Sequence, residues 1–310
     1  MNIKKVLKQR FSGIYDYHLH LLRKKKIKQI AKLKQLPKTE YPKMLAARYE
    51  AAIGHKLNWD NLQTYTEKMQ WAKLYDKNPL KATLTDKYLV REWVEKTIGG
   101  EYLIPLLGVW DNFEDIDFSE LPDRFVLKTN HGSGTNLIVK DKSKLNLKRA
   151  KRMFDDWMNI DYAYNSNFEM HYTDIKPKII AEKYMETSTG ELPDYKFLCF
   201  GGKPYYCWVD CGRFTNHTRN VYDLDWKLQS WSQCHPINEV IIEKPAKFET
   251  MVMLAQKLSE GLSHVRVDFY NIDGNIYFGE MTFTNPRGWE RIYPDEWDKR
   301  LGELWQLEMK

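Results

Sequence analysis

Two short runs, Val265-Arg-Val-Asp-Phe269 and Ile276-Tyr-Phe-Gly-Glu-Met-Thr-Phe283, flank the turn sequence Asn271-Ile-Asp-Gly-Asn275, and no other stretch restricts the fold so tightly. Alternation with period two separates a buried face from a polar one only in a β-strand. The Asp-Gly between the runs makes the pair a hairpin. Arg266 and Asp268 then share one face, opposite Val265, Val267 and Phe269, and Glu280 shares a face with Thr282. If Tyr270 opposes Ile276, Arg266 opposes Glu280, and Asp268 lies diagonal to Glu280, about 7–8 Å away at the backbone. Two carboxylates so placed suit a hard cation such as Mg2+. An exposed hairpin with a cross-strand Arg–Glu pair of little worth fits the same pattern.

A second strand pair, Phe125–Lys128 and Leu137–Lys140, flanks Thr129-Asn-His-Gly-Ser-Gly-Thr-Asn136. Such a loop offers backbone N–H groups without side-chain bulk and can close over phosphates, with Lys128 as counter-charge. A surface hairpin that happens to carry glycines is the alternative. The loop is neither a Walker A sequence nor a dinucleotide fingerprint, because a strand follows it. Residues 41–99 read mainly as helix, with Thr85 as a cap for a segment whose Leu84, Tyr88, Leu89, Trp93, Val94 and Ile98 form one face. Further helices are expected over 146–160 and 248–262, a strand over 178–185, and a hairpin from 194–200 to 204–209. The layout is α+β with mainly antiparallel pairs rather than a βαβ series. The expected divisions are a basic arm (1–40), a mainly helical domain (41–124), a subdomain with the glycine-rich loop (125–185) and one with the metal site (186–310).

Composition excludes several classes. With 43% hydrophobic and 29% charged residues the chain is neither disordered nor fibrous. Its central apolar run, 103–110, falls far short of the roughly 20 residues that cross a bilayer. Asp16, His18 and His20 interrupt the stretch that a secretory signal would need to be apolar. Four cysteines, Cys199, Cys207, Cys211 and Cys234, read as reduced thiols of a cytosolic protein rather than a zinc site. Residues 1–34 carry eleven Lys or Arg against the single Asp16. With Ile3, Val6, Leu7, Phe11, Ile14, Leu19 and Leu22 they suit a basic amphipathic helix. That helix either packs on the body by its apolar stripe or adheres to an anionic membrane surface or acidic polymer. No nucleic-acid reader motif accompanies the charge.

Taken in order, these signals resemble the ATP-grasp superfamily. They are a lysine ending a strand, a Gly/Ser loop, a returning strand, a helix, the strand Ile179-Ile-Ala-Glu-Lys-Tyr-Met185, and R-x-D…E-x-T on a hairpin. The order is that of the D-alanine–D-alanine ligase branch. At finer grain the chain resembles the TupA-like ATP-grasp proteins of bacterial surface-polysaccharide and teichuronopeptide biosynthesis. The segments that carry this are KLNWDNLQTYTEKMQWAKLYD (56–76), DKYLVREWV (86–94), YLIPLLGVWDNF (102–113), FVLKTNHGSG (125–134), DYKFLCF (194–200), GRFTNHTRNVYDLDW (212–226) and VRVDFYNIDGNIYFGEMTF (265–283).

The resemblance implies an ATP-grasp fold with the nucleotide held between two mainly antiparallel sheets, and ATP and Mg2+ as cofactors. It implies that Lys128 and Lys87 contact phosphates and that His131, Gly132, Ser133 and Gly134 form the mobile loop. Glu182, Lys183 and Met185 would read the adenine edge and Asp194 would hold the ribose hydroxyls. Asp268 and Glu280 match the magnesium ligands, and Arg266 the arginine that, with Lys128, steadies the transferred phosphoryl group. Thr282 stands where the ligase branch has Asn; threonine is the poorer ligand, so its hydroxyl, Asn285 or water would fill the place.

The implied activity is carboxylate–amine ligation through an acyl phosphate, joining an amino acid or other amine to a uronic-acid carboxylate of a polysaccharide precursor. A glycosyltransferase or sugar kinase of the same pathway, or an inactive nucleotide-binding module, are the alternatives. Lys196, Arg213, Arg219, Asn285 and Arg287 are expected toward the acidic acceptor; structural ion pairs are the competing reading for the two arginines of 212–226. The expected location is cytoplasmic, with peripheral contact at the inner face of the membrane through residues 1–34.

Overall fold

Asn146 and Thr64 show how local chemistry starts the helices. Each side-chain oxygen accepts from a backbone N–H in the first turn (Arg149 and Glu67), and Glu67 returns the bond to the Thr64 N–H, closing a capping box. In the computed structural model, residues 12–186, 194–211, 217–238 and 241–308 are described.

In chain order the first helices are α1 (Ser12–Lys34), α2 (Tyr41–Ile53), α3 (Tyr65–Tyr75), α4 (Leu80–Thr85) and α5 (Val90–Thr97). Strands β1 (Leu106–Trp110), β2 (Phe125–Thr129) and β3 (Asn136–Val139) follow, then α6 (Leu147–Met158), α7 (Tyr162–Asn165) and β4 (Ile179–Lys183). The remainder is β5 (Asp194–Phe200), β6 (Lys203–Cys211), β7 (Thr218–Tyr222), β8 (Ser232–Gln233), α8 (Phe248–Ser259), β9 (His264–Ile272), β10 (Asn275–Thr282), β11 (Ile292–Tyr293) and α9 (Glu296–Leu304). They form two units, one of residues 1–38, 105–168 and 172–184, the other of 39–104, 169–171 and 185–310.

The first unit is built on the antiparallel sheet β1-β4-β2-β3. Alternation in β2 sends Phe125 and Leu127 into a core with Ile179, Ala181 and the α6 residues Ala150, Phe154 and Trp157. Val126 and Lys128 therefore point to the other face. Helix α1 rests on α6 and α7 through polar groups rather than an apolar stripe. Asp16 pairs with Arg149 at 2.9 Å, His20 with Asp156 at 2.8 Å and Lys34 with Asp161 at 2.8 Å. Ile30 is buried, but Ile14 is 70% exposed and Leu22 48%, against the first of the two readings, a stripe packed inward. The ion-pairing groups on α6 and α7 decide which way the helix turns. Ile3, Val6, Leu7 and Phe11 of that stripe lie outside the described residues.

The second unit holds the five-stranded antiparallel sheet β10-β9-β5-β6-β7. One face packs on α8, where Met251, Leu254, Ala255 and Leu258 meet Phe197, Val265, Val267 and Phe269. Each such large side chain removed from water stabilises by about 1.5–3 kcal/mol. Part of the opposite face carries an aromatic cluster of Trp208, Trp231, Trp297 and Trp305 with Tyr65 and Leu301. Asp298 accepts from the Thr66 backbone N–H at 2.9 Å and from its hydroxyl, joining α9 to the start of α3. The cap expected at Thr85 sits one residue later: Asp86 Oδ1 accepts from the N–H groups of Tyr88 and Leu89, while Thr85 closes α4.

Candidate active site

The hairpin β9–β10 does not keep the expected register, and in β10 the alternation slips by one residue, with Ile276, Phe278 and Met281 all buried. Glu280 lies directly opposite Asp268 and Thr282 opposite Arg266, because a bulge between Phe278 and Glu280 advances the pairing. Gly279 makes the bulge possible, since a Cβ there would meet the Asp268 carbonyl oxygen at 3.1 Å. The two carboxylates thus become nearest cross-strand neighbours, closer than the expected diagonal.

Arg266 ties this face together. Its Nε donates to Asp268 Oδ1 at 2.7 Å, and its Nη2 donates to Asp268 Oδ2 at 2.6 Å, Glu280 Oε1 at 2.8 Å and Thr282 Oγ1 at 3.2 Å. The Thr282 hydroxyl in turn donates to Glu280 Oε1 at 2.7 Å. From β5, Lys196 donates to Asp268 Oδ2 at 2.9 Å and also pairs with Asp194. Asp194, Lys196, Arg266 and Asp268 are all buried; Glu280 keeps 39% of its side chain exposed. Burial pushes the Glu280 pKa up, but Arg266, with Lys87 and Lys196, more than reverses this and holds it down to about 2. At Asp268 burial prevails over Arg266 and Lys196, and its pKa is raised. A buried carboxylate in that condition gains from any further positive charge.

Asp268 and Glu280 could offer carboxylate oxygens to Mg2+. Carboxylate oxygens of Asp268 and Glu280 converge on one point, the Arg266 Nη2, and both are hard ligands. Among the described residues no group of three or more His, Cys, Asp or Glu stands ready to hold a metal. Mg2+ accepts one or two carboxylates and completes its shell with phosphates and water, so two suffice. Thr282 would add its hydroxyl only by giving up bonds it already makes. Asn285 is buried with its Oδ1 3.0 Å from Tyr65 Oη, which also lies 2.9 Å from His264 Nε2.

The first unit places the remaining expected groups as follows. Lys128 and Glu182 stand diagonally on one face of the sheet, since Val126 opposes Glu182 and Lys128 opposes Ile180, and they form an ion pair. The loop 131–134 is closed at its base by Thr129, whose N–H donates to Thr135 O at 3.1 Å. Gly132 has φ 124° and lies so near Tyr162 that a Cβ would come within 2.5 Å of the ring. No other residue fits there without displacing that tyrosine. Ser133 is exposed and His131 buried. The Lys183 N–H donates to Pro105 O at 3.0 Å. Met185, half-buried, falls in the second unit.

The expected acceptor groups are dispersed within the second unit. Lys196 belongs to the carboxylate cluster. Arg219 is buried in a bidentate pair with Asp210, at 2.6 and 3.0 Å, and lies over the Trp208 ring. Arg213 lies outside the described residues. Arg287 has φ 68°, a left-handed conformation that is strained for a side chain of its size, and Gln70 Nε2 donates to the next carbonyl, that of Gly288, at 3.0 Å. Sequence reasoning missed Lys73 and Lys81. Lys73 is buried, donates to Gln70 Oε1 at 2.9 Å and sits 3.7 Å from the Trp289 ring centroid. Its burial lowers its pKa well below the usual lysine value. Lys81, also buried, pairs with Asp76 at 3.0 Å. The signal was present, because Lys73 falls eight residues after Tyr65 and four after Met69, on the face of α3 that is apolar.

Residues 67–306 match the family described as TupA-like ATPgrasp, and the chain belongs to that family. Its fold is accordingly the α+β ATP-grasp fold. Solved structures show a distant likeness. D-alanine–D-alanine ligase from Bacillus anthracis complexed with ATP is 19% identical, with 64% of this chain and 53% of that one covered and a TM-score of 0.37. The ligase of the same name from Helicobacter pylori is 14% identical, with 64% and 51% covered and a TM-score of 0.37. N5-carboxyaminoimidazole synthase from Aspergillus clavatus is 13% identical, with 64% and 44% covered and a TM-score of 0.36. The chain thus spans about half the length of the solved structures it resembles. No curated protein matches it.

Proposed function

We propose that the protein is an ATP- and Mg2+-dependent carboxylate–amine ligase, joining an amino acid or other amine to a uronic-acid carboxylate of a bacterial surface polysaccharide or its precursor. One observation carries this reading: in a chain of the TupA-like ATP-grasp family, Asp268 and Glu280 stand directly opposite one another with Arg266 donating to both.

In the proposed reaction the substrate carboxylate attacks the terminal phosphoryl group, ADP leaves, and the amine then displaces phosphate from the acyl phosphate. Mg2+, held by Asp268 and Glu280, would neutralise phosphate charge. Arg266 supplies fixed positive charge where negative charge spreads over the transferring oxygens. Lys196 keeps Asp268 oriented. In the first unit Lys128 and Glu182 provide a cation and an acceptor for the nucleotide, and the 131–134 loop covers its phosphates and excludes water, which would hydrolyse the acyl phosphate. Arg287, held by the loop that Gln70 braces, is directed to the acidic acceptor.

The test is a hydroxylamine-trapping screen with purified protein, ATP, Mg2+ and a panel of uronic and amino acids. A hydroxamate identifies the activated acid. ADP release with a phosphorylated sugar and no hydroxamate would replace this reading with a kinase, and consumption of a nucleotide sugar would replace it with a glycosyltransferase.

A further inference from the structure

Helix α1 has two faces of different chemistry. The inward one is spent on ion pairs with α6 and α7, and Arg23 lies 5.4 Å over the Trp157 ring. The outward one begins with an apolar patch: Ile14, Tyr17, Leu21 and Leu22 are 70, 56, 48 and 48% exposed. At 100° per residue these four fall within one half of the helix circumference. Along the same half, toward the C-terminal end, come Lys24, Lys25, Lys28 and Lys32, all exposed. The helix has one acidic residue, Asp16, and it faces inward to Arg149. Residues 1–11 add Lys4, Lys5, Lys8 and Arg10 and no acid.

We infer that this outward face is a docking surface for a membrane of anionic phospholipid. The patch inserts at the headgroup boundary and the lysines lie over the phosphates. An apolar patch alone would suit many partners. Continuation into a lysine row with no acid selects an anionic, laterally extended and apolar-cored occupant, and a bilayer leaflet has all three properties. The inference is independent of the ligase chemistry, because it uses no residue assigned to nucleotide or metal.

The experiment is co-sedimentation of the full chain with phosphatidylcholine vesicles that do or do not contain phosphatidylglycerol. Binding is expected to the mixed vesicles, to weaken with salt, and to be near absent on phosphatidylcholine alone. Each lysine near an anionic surface contributes about fivefold in partitioning, so Lys24→Gln with Lys28→Gln lowers it roughly 30-fold. Leu21→Asp abolishes insertion, while Lys227→Gln with Lys299→Gln, of equal charge change but remote in sequence and exposed, leaves binding intact. Circular dichroism confirms that each variant is folded. Equal loss from both lysine pairs, or binding indifferent to phosphatidylglycerol, overturns the inference. So does a dimer that Leu21→Asp disperses in a chain that ignores vesicles, because the face then belongs to a second copy.

Discussion

Replacing Arg266 by Met tests whether the carboxylate pair is a cation site or only an ion-pair network. The substitution keeps much of the side-chain length but removes the hydrogen bonds at 2.6, 2.7 and 2.8 Å to Asp268 and Glu280. Removing one partner of a buried ion pair costs about 3–5 kcal/mol, because the other charge stays buried. Here Lys196 still holds Asp268 at 2.9 Å and Glu280 is partly solvated, so the lower figure applies, about 3 kcal/mol. At about 2 °C per kcal/mol for a chain of this size, the melting temperature falls by roughly 6 °C. The deficit depends on pH. Asp268 already has a raised pKa, and losing the arginine raises it further. Such a group contributes stability below its unfolded pKa that is lost as pH rises through the folded one. The variant is therefore worst at neutral pH and approaches the native protein in the carboxylate range. Mg2+ should reverse much of the loss by entering between the two carboxylates. Differential scanning calorimetry with and without Mg2+ measures both effects, and the Mg2+-induced rise should be larger in the variant than in the native protein. A loss under about 1 kcal/mol, or equal Mg2+ shifts in the two proteins, would refute the reasoning.

Asp268→Asn and Glu280→Gln are each expected to reduce ADP formation by about 100-fold or more, read by a coupled assay at saturating ATP; unchanged rates remove both from the metal site. Gly302→Ala places a Cβ 2.1 Å from Gln63 O and 2.8 Å from the Thr64 carbonyl carbon. Both are backbone atoms that cannot swing away, so urea denaturation should show a loss of about 3 kcal/mol. Burial pushes the His264 pKa down to about 3 from 6.5. A depressed pKa gives stability that is complete above 6.5 and lost as pH falls toward 3. In His264→Phe that part of the acid slope, one proton, should vanish from a pH series of urea melts, while stacking on Phe200 persists.

Much of this was legible in the residues. The period of two placed Arg266 with Asp268 on one face of β9 and Glu280 with Thr282 on one face of β10, but strict alternation also put Glu280 in phase with Ile276 and Phe278, which are buried in the core. Register was another matter. A glycine at 279 reads alike in a regular strand and in a bulge, and only the approach of the Asp268 carbonyl distinguishes them. The inward face of α1 was missed for a similar reason. Apolar periodicity predicts burial only where the neighbouring surface is apolar, and α6 presents Arg149 and Asp156 instead. For Arg219 the sequence left acceptor binding and a structural ion pair open, because its partner, Asp210, is nine residues away in sequence and opposite it only once β6 and β7 pair. Lys73 escaped attention because lysine on a helix is ordinarily solvent-facing, and its cradle of Gln70 and Trp289 draws on a segment more than 200 residues further on.

The bonds from Thr66 to Asp298 span 232 positions, and the one from Tyr65 to His264 spans 199. On a ribosome making about 5–20 residues per second, the start of α3 is therefore exposed for roughly 10–50 s before its last partner emerges. Every strand of the first unit's sheet is synthesised within that interval. One half of the molecule can be finished while the other still presents Tyr65, Met69 and Ala72 to solvent, so nascent-chain binding by a holdase should concentrate on this single helix.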